Sequence, residues 1–171
     1  MIVENTKLEG VLLIKLDAFE DHRGEYIEIY NEKLYKSKGI EIDFVEDDVS
    51  IATRGVIKGI HGDHSTWKLI SCLHGKFYLV VINYDRESKS FGKWESFVLS
   101  EKNNHQVLVP PKYGSGHLCL SEKSIFHYKQ SSYYDPSKQF TIRWNEPKFN
   151  IWWPVKNPIL SVRDEFGQNV D

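Results

Sequence analysis

Apolar positions along the chain fall in short segments, either as unbroken runs or alternating with polar residues, and Gly- or Asn-containing turns separate them. Short segments with this pattern are typical of β-strands. The predicted strands cover residues 11–16, 26–30, 43–52, 56–60, 67–72, 76–83, 94–99, 106–109, 117–120, 124–131 and 140–143. Turns are predicted at 54–55, 74–75, 90–92, 103–104 and 112–114.

This series of strands predicts an all-β fold, a double-sheet jelly roll with short peripheral helices, built as a single domain over residues 1–171. One short helix is expected over 31–38, where Asn31 can serve as N-cap and Gly39 can end the helix. Residues 152–171 are expected to be irregular and to pack back on the barrel. The mouth of such a barrel is a suitable place for a small molecule.

Composition narrows the classes of partner. The 171 residues are 40% hydrophobic and 27% charged with a formal net charge of −2, so no basic surface favours nucleic acid. No apolar run approaches the roughly 18 residues of a membrane-spanning helix, and no signal-peptide pattern opens the chain. A soluble, cytoplasmic protein without a membrane partner is therefore expected. Cys72 and Cys119 lie in separate apolar segments, which is typical of buried free thiols.

Two histidines in the middle of the chain raise the question of a metal site. His61 and His64 are three residues apart, and the next charged residue is Lys68, where a metal site needs a carboxylate. No metal is therefore predicted. The same stretch suits acid–base chemistry, since imidazole titrates near neutral pH and a lysine can stabilise an enolate oxygen. A structural role for His61 stays open at this point, and the orienting carboxylate could be Asp63, Asp85 or Asp164.

Three tyrosines lie on or beside the predicted strand at 124–131. A phenol can return a proton to the face opposite a histidine base, and an exposed tyrosine can stack on a nucleotide base. Tyr128, Tyr133 and Tyr134 are the candidates, and a role in the aromatic core remains the alternative for at least one of them.

Seven short motifs, in order and spread over nearly the whole chain, resemble the dTDP-4-dehydrorhamnose 3,5-epimerase family. They are FEDHRG (19–24), FVEDDVS (44–50), RGVIKGIH (54–61), SKSFGKW (88–94), WNEP (144–147), IWWP (151–154) and PILSVRD (158–164). The resemblance implies a cupin-type double-stranded β-helix, which is a jelly roll. It also implies epimerisation beside the 4-keto group of a nucleotide-linked sugar.

The resemblance further implies roles for individual residues. His61 matches the base and Asp164 its carboxylate, Lys68 matches the lysine beside the sugar carbonyl, and Tyr128 matches the opposing acid. The expected substrate-binding residues are Arg23, Glu28, Glu46, Asp48, Lys58, Asp63, His64, His117 and Tyr134. Among these, Arg23 and Lys58 match positions that meet the diphosphate, with Arg23 reaching over from the partner subunit of a homodimer. No cofactor is expected, because the chemistry needs none and no glycine-rich dinucleotide motif is present.

Departures from the family pattern bear on the substrate. Glu46 and Asp48 stand where the family has Gln and Asn, and carboxylates suit the adjacent N–H donors of guanine, which favours a GDP-linked sugar. The run PKYGSGH (111–117) replaces P-G-F-A-H-G-F, so a histidine is lost at Ser115 and one gained at His117. A larger or differently hydroxylated sugar is implied, as for the GDP-4-keto-heptose epimerases of bacterial capsule pathways. His117 itself is either a sugar contact or a core histidine.

Three interpretations therefore remain. The first is a 3,5-epimerase of a GDP-linked 4-keto-heptose or 4-keto-6-deoxy sugar, with the dTDP-linked substrate as its variant. The second is a C3-only epimerase or a 3,4-ketoisomerase on the same fold. The third is a non-catalytic cupin that binds a sugar nucleotide, which would not require His61, Lys68, Tyr128 and Asp164 to be present together.

Overall fold

A computed structural model describes residues 1–167 as a nearly all-β protein with two short helices. The strands are β1 (Ile2–Asn5), β2 (Leu12–Lys15), β3 (Ala18–Asp21), β4 (Gly24–Ile27), β5 (Glu46–Thr53), β6 (Ile57–Asp63), β7 (Lys68–His74), β8 (Lys76–Asn83), β9 (Trp94–Ser100), β10 (His105–Val109), β11 (Tyr113–Cys119), β12 (Lys123–Gln130) and β13 (Gln139–Thr141). The helices are α1 (Glu32–Ser37) and α2 (Val162–Phe166), and a 3-10 turn spans Pro136–Lys138. The predicted all-β class is confirmed.

Two antiparallel sheets face each other as in a jelly roll. One has the strand order β1-β2-β10-β7-β12-β5, and the other has β13-β6-β11-β8-β9. Their facing surfaces enclose an apolar cluster of alternate strand residues such as Ile70, Phe77, Leu79 and Val107. Strands β3 and β4 form a separate hairpin. Because side chains alternate between the two faces of a strand, polar residues on the inner faces end up in the space between the sheets.

The outer faces of the sheets are covered by segments outside the strands. Helix α1 places Tyr35 over the six-stranded sheet, where it packs with Ile14 and Leu69. The C-terminal segment covers the five-stranded sheet with Phe149 and Trp153. This segment runs beside the start of β6, because the backbone N–H of Ile159 donates to the carbonyl of Gly55 and the carbonyl of Ile159 accepts from the N–H of Ile57. These hydrogen bonds bring α2 to the mouth of the barrel.

Local sequence signals account for most elements. The side chain of Asn31 caps α1 by accepting a hydrogen bond from the backbone N–H of Leu34 (3.2 Å), as predicted. The turn predicted at 112–114 is shifted: it ends at Lys112, and β11 begins at Tyr113 instead of the predicted 117. Helix α2 lies within the segment predicted to be irregular. Cys72 and Cys119 are buried free cysteines, as predicted. The last four residues of the predicted 1–171 domain lie outside the described residues.

A β-bulge in β6 shapes the inner wall of the barrel. Ser115 pairs with His61 and His117 with Lys58, so β6 carries one residue more than β11 over this stretch. Residues three apart on a regular strand face opposite sides, but the extra residue returns Lys58 to the side of His61. Gly59, in the bulge, has φ +109°, and a Cβ there would lie 2.6 Å from the Cα of Gly116.

We expect Gly59→Ala to destabilise the fold far more than Gly55→Ala. Gly55 also has a positive φ (+85°), but a Cβ there meets nothing within 4 Å, so it isolates the backbone strain of about 1–2 kcal/mol. Gly59→Ala adds a collision with β11, for a total of about 2–5 kcal/mol. Urea denaturation of both variants measures the difference, and equal losses would show that the close approach of β6 and β11 is unimportant.

Candidate active site

A cavity of about 290 Å³ opens between the two sheets. It is lined by Ser50, Lys58, His61, Lys68, Ser115, His117, Phe126, Tyr128, Ser161 and Asp164. A second hollow shares His61, Lys68 and Tyr128 with it and adds Asp48, Tyr134, Gln139 and Arg163. The two hollows form one cleft because three residues line both. The cleft brings together all four predicted catalytic residues.

His61 and Asp164 form a hydrogen-bonded pair at the cleft, although 103 residues separate them. The Nε2 atom of His61 lies 2.6 Å from Oδ1 of Asp164. An ionised carboxylate can only accept hydrogen bonds, so Nε2 must carry the proton and donate it. The lone pair of a neutral His61 is then on Nδ1. The open question of which carboxylate orients His61 is answered by geometry as Asp164.

Asp164 is held in its ionised form. Burial alone would raise the pKa of this carboxyl, but the hydrogen bond and charge of His61 and further hydrogen bonds from Ser161 and the Gly59 backbone keep its pKa below the usual value. Ser161 is also the N-cap of α2 and accepts from the backbone N–H of Asp164. Helix α2 therefore holds the carboxylate of Asp164 in position, and this carboxylate in turn orients the imidazole of His61.

Lys68 stands at the start of β7 and reaches the same cleft from the six-stranded sheet. Burial lowers the pKa of its amine, although the negative charge of Asp63 acts in the opposite direction and raises it. Its Nζ lies 5.6 Å from the centre of the Tyr128 ring. A cation in this position is suited to stabilise negative charge that develops on a bound carbonyl oxygen.

Tyr128 lies on β12, across the cleft from β6. Burial raises the pKa of its phenol, and the carboxylate of Asp48, the residue paired with it on β5, raises it further. The phenol is therefore protonated at neutral pH and available as a donor. His61 and Tyr128 belong to different sheets, so they approach the space between the sheets from opposite sides.

Glu46 and Asp48 are held by a buried amide. Gln130, 1% exposed, donates from Nε2 to Glu46 Oε1 (2.7 Å) and to Asp48 Oδ2 (3.0 Å). The other oxygen of Glu46 accepts the backbone N–H of Tyr134 (3.0 Å). Burial raises the pKa of Asp48, and the nearby charge of Glu46 adds to it. Asp48 thus lines the cleft beside Tyr128, and both oxygens of Glu46 already accept hydrogen bonds from the protein.

Lys58 and Tyr134 occupy different ends of the cleft. The Nζ of Lys58 donates to Ser50 Oγ (2.7 Å) and to the backbone carbonyl of Ile51 (3.0 Å). Tyr134 is half exposed, and an exposed tyrosine ring can stack on a planar group. Both residues were predicted to bind substrate, and both line the cleft.

Besides Glu46, four predicted binding residues do not line the cleft in the single chain. Arg23 is on the β3–β4 hairpin, where its Nη2 pairs with Asp21 (2.6 Å). Glu28 accepts from the side chain of Asn31 on the surface. Asp63 is buried, and its Oδ1 accepts the backbone N–H groups of the following turn. His64 packs against the ring of Phe140 with centroids 5.2 Å apart. The binding roles of all four stay predictions.

His117 is fully inside the barrel wall. Its ring stacks on Phe126 with centroids 4.1 Å apart and planes at 10°, and its Nε2 has no hydrogen-bond partner among the described residues. Burial, with the charges of Lys58 and His61, lowers the pKa of His117 to about 3. His117 is therefore buried in the wall with its Nε2 unpartnered among the described residues, and a contact between this atom and the sugar stays a prediction.

We expect the neutral state of His117 to make the fold acid-sensitive. Below pH 6.5 the unfolded chain binds a proton at this residue, whereas the folded chain does so only near pH 3. The free energy of unfolding therefore falls as the pH falls from about 6.5 toward 3. Chemical denaturation between pH 7 and 4 should show a shallower decline for His117→Phe than for wild type, and parallel curves would contradict this.

Several residues that line the cleft were not predicted as binding residues. Ser115 was noted only as a departure from the family pattern, and Ser50 was not noted; each lies two positions from a predicted binding residue on the same strand, so the period of two would have found both. Ser161, Gln139 and Arg163 lie in irregular or short elements for which no such period exists.

Within residues 1–167 no group of three or more His, Cys, Asp or Glu side chains is arranged to hold a metal. No helix of that same part is long and apolar enough to span a membrane.

The chain is similar to proteins of known activity over almost its whole length. The family model for dTDP-4-dehydrorhamnose 3,5-epimerase matches residues 5–171. The dTDP-4-dehydrorhamnose 3,5-epimerase of Shigella flexneri is 34% identical over 172 residues, which covers 98% of this chain and 95% of the relative.

Two solved structures share the fold. The dTDP-4-dehydrorhamnose 3,5-epimerase of Bacillus anthracis with TDP and PPi bound has a TM-score of 0.94, with 32% identity over 99% of both chains. The dTDP-6-deoxy-D-glucose-3,5-epimerase of Legionella pneumophila in complex with dTDP-4-keto-L-rhamnose has a TM-score of 0.92, with 30% identity over 97% of this chain and 90% of the other. The predicted cupin-type jelly roll is confirmed. The chain therefore belongs to the dTDP-4-dehydrorhamnose 3,5-epimerase family and is an isomerase that acts on a nucleotide-linked sugar.

Proposed function

We propose that the protein inverts C3 and C5 of a dTDP-linked 4-keto-6-deoxy sugar by acid–base catalysis without a cofactor. The observation that carries the proposal is the convergence of the His61–Asp164 pair, Lys68 and Tyr128 on one cleft. A ketone at C4 acidifies the protons on C3 and C5, because either carbanion is delocalised as an enolate. The reaction then needs only a base, an oxyanion stabiliser and an acid.

Each residue has one step. The Nδ1 of His61 removes the proton from carbon, and Asp164 stabilises the imidazolium that results. The ammonium group of Lys68 stabilises the enolate oxygen. The phenol of Tyr128 gives its proton to the same carbon from the opposite face, and the configuration inverts. The position of His61 and Tyr128 on different sheets supports transfer at opposite faces.

The nucleotide is the least supported part of the sequence prediction. GDP was favoured because Glu46 and Asp48 could face the donors of guanine. The location of Asp48 beside Tyr128 argues for a contact near the reacting sugar instead, and the relatives are dTDP-sugar enzymes by name. We therefore favour dTDP, and the GDP-linked 4-keto-heptose becomes an outcome of the test. The cytoplasmic location and a role in capsule synthesis remain predictions.

Incubation with dTDP- and GDP-linked 4-keto sugars in D₂O tests the proposal. Deuterium at both C3 and C5 of the dTDP sugar is expected, followed by mass spectrometry and NMR. Label only at C3 would favour the C3-only epimerase, and movement of the ketone to C3 would favour the 3,4-ketoisomerase. Clear preference for the GDP sugar would restore the guanine interpretation. Binding of either sugar without label would favour the non-catalytic cupin.

We also infer a homodimer in which the β3–β4 hairpin carries Arg23 to the partner's cleft. Phe19 and Tyr26 on this hairpin are each 67% exposed, and Val49 and Ile51 form an exposed apolar face on the edge strand β5. Apolar side chains exposed together in this way mark interaction surfaces. The hairpin packs as a separate two-stranded unit, which leaves it available to a second copy.

Complementation tests this arrangement. We expect Arg23→Ala and His61→Asn to be individually impaired, but a co-expressed mixture should recover activity, since a mixed dimer has one cleft with both residues intact. Random pairing gives about a quarter of the wild-type sites. Light scattering checks the dimer independently. A dimeric mixture that stays at the sum of the two variants would show that Arg23 does not serve the partner's cleft.

A further inference from the structure

His117 presents a polar atom that the proposed chemistry does not use. It is 4% exposed, it lines the cavity, and its Nε2 has no hydrogen-bond partner among the described residues. A buried polar atom without a partner costs folding free energy, so proteins keep one chiefly where a ligand or an ordered water completes it. The stack on Phe126 holds the ring in one orientation.

A second polar side chain lies on the same wall. Ser115 is two residues before His117 on β11, so both side chains face the cavity. Through the bulge they pair with His61 and Lys58 respectively. The Ser115–His117 wall therefore adjoins the base that would act on the sugar, so a sugar bound for reaction would contact it.

The chemistry of this wall favours an uncharged hydroxyl group. A neutral imidazole and a serine hydroxyl can each donate or accept a hydrogen bond, but neither forms an ion pair. The family pattern has a phenylalanine at the position of His117 and a histidine at that of Ser115, so this chain moves the polar ring two residues along the strand. The wall at residue 117 gains a hydrogen-bonding atom where a phenyl ring has only C–H groups.

We propose that Ser115 and His117 form a hydroxyl-recognition subsite. It binds a sugar whose hydroxyl group faces these two residues more tightly than the same sugar without that hydroxyl group. This inference rests on the proposed function, since the ligand is the sugar of the nucleotide-linked substrate. The subsite sets specificity and takes no part in proton transfer.

Binding of unreactive sugar nucleotides tests the subsite. In dTDP-glucose a hydroxyl group replaces the C4 ketone, so no enolate can form and affinity can be measured alone. Calorimetry compares it with its 2-deoxy and 3-deoxy counterparts, since the proposed substrate carries hydroxyl groups at C2 and C3, and the same series is repeated with GDP. For one of the two carbons, we expect the hydroxylated sugar to bind about tenfold more tightly than the deoxy sugar. In His117→Phe this ratio should fall to near one through weaker binding of the hydroxylated sugar.

Two further variants separate recognition from packing. Ser115→Ala should reduce the same ratio, whereas His127→Gln should leave it unchanged. His127 is another buried histidine with an unpartnered ring nitrogen, but it does not line the cleft. A wild-type ratio near one at both carbons, or an unchanged ratio in His117→Phe, would overturn the subsite while leaving the proposed function intact. Failure of the wild type to bind any of these nucleotide sugars would overturn both.

Discussion

His61→Asn is expected to lower kcat/KM for epimerisation by about 10³-fold or more and to remove deuterium exchange at both C3 and C5. General-base catalysis by a positioned histidine contributes about 10²–10⁴-fold. Among the described residues the only other imidazole that lines the cleft is His117, whose lowered pKa makes it a weak base. The substitution removes the imidazole and leaves the other residues that line the cleft in place. The nucleotide sugar should therefore still bind, which calorimetry can measure.

His74→Asn is the matched control for this variant. His74 lies at the far end of β7 from Lys68, is exposed, and pairs with Glu101 (2.8 Å). It should keep wild-type exchange and inversion. Exchange at either carbon that survives in His61→Asn at the wild-type rate would remove His61 from the role of base, and the carboxylates of the cleft would become the next candidates.

The fold could be predicted in outline because local sequence patterns mark most of its strands. Alternation and turn residues located β5 to β12 within a few positions, and Asn31 marked the start of α1. The strands β1 and β3 were missed, since each has only four residues and is defined by its pairing partner. The start of β11 at Tyr113 was missed because its glycines, which fit the close packing against Ile60, suggest a turn in the sequence.

The site was predictable in its residues but not in its geometry. Spacing alone could not choose Asp164 from three carboxylates, because its contact with His61 joins residues 103 apart. The three-residue spacing of Lys58 and His61 would place them on opposite faces of a regular strand, and only the bulge at Gly59 brings both to the cleft. The substitutions that alter the wall at Ser115 were visible in the sequence, but their position beside His61 was not.

Placement of the acid and the base on different sheets has a mechanistic consequence. The two sheets hold His61 and Tyr128 on opposite walls of the cleft, so in the proposed mechanism an enolate between them would be protonated from the second face without moving. The proposal therefore assigns inversion to Tyr128 and proton removal to His61. The two halves of the reaction can be separated experimentally by removing one hydroxyl group.

Tyr128→Phe is expected to lower the rate of inversion by about 10²-fold or more while deuterium still enters the recovered substrate. His61 can still form the enolate and exchange the proton that it has taken for a deuteron from D₂O, but with no donor on the opposite face the imidazolium returns that deuteron to the face it left. The ratio of exchange to inversion in D₂O therefore rises, and mass spectrometry of substrate and product measures it. Tyr84→Phe, outside the cleft, is the matched control. If exchange and inversion fall in parallel in Tyr128→Phe, the phenol is not the opposite-face donor, because a residue needed only for binding would slow both steps equally.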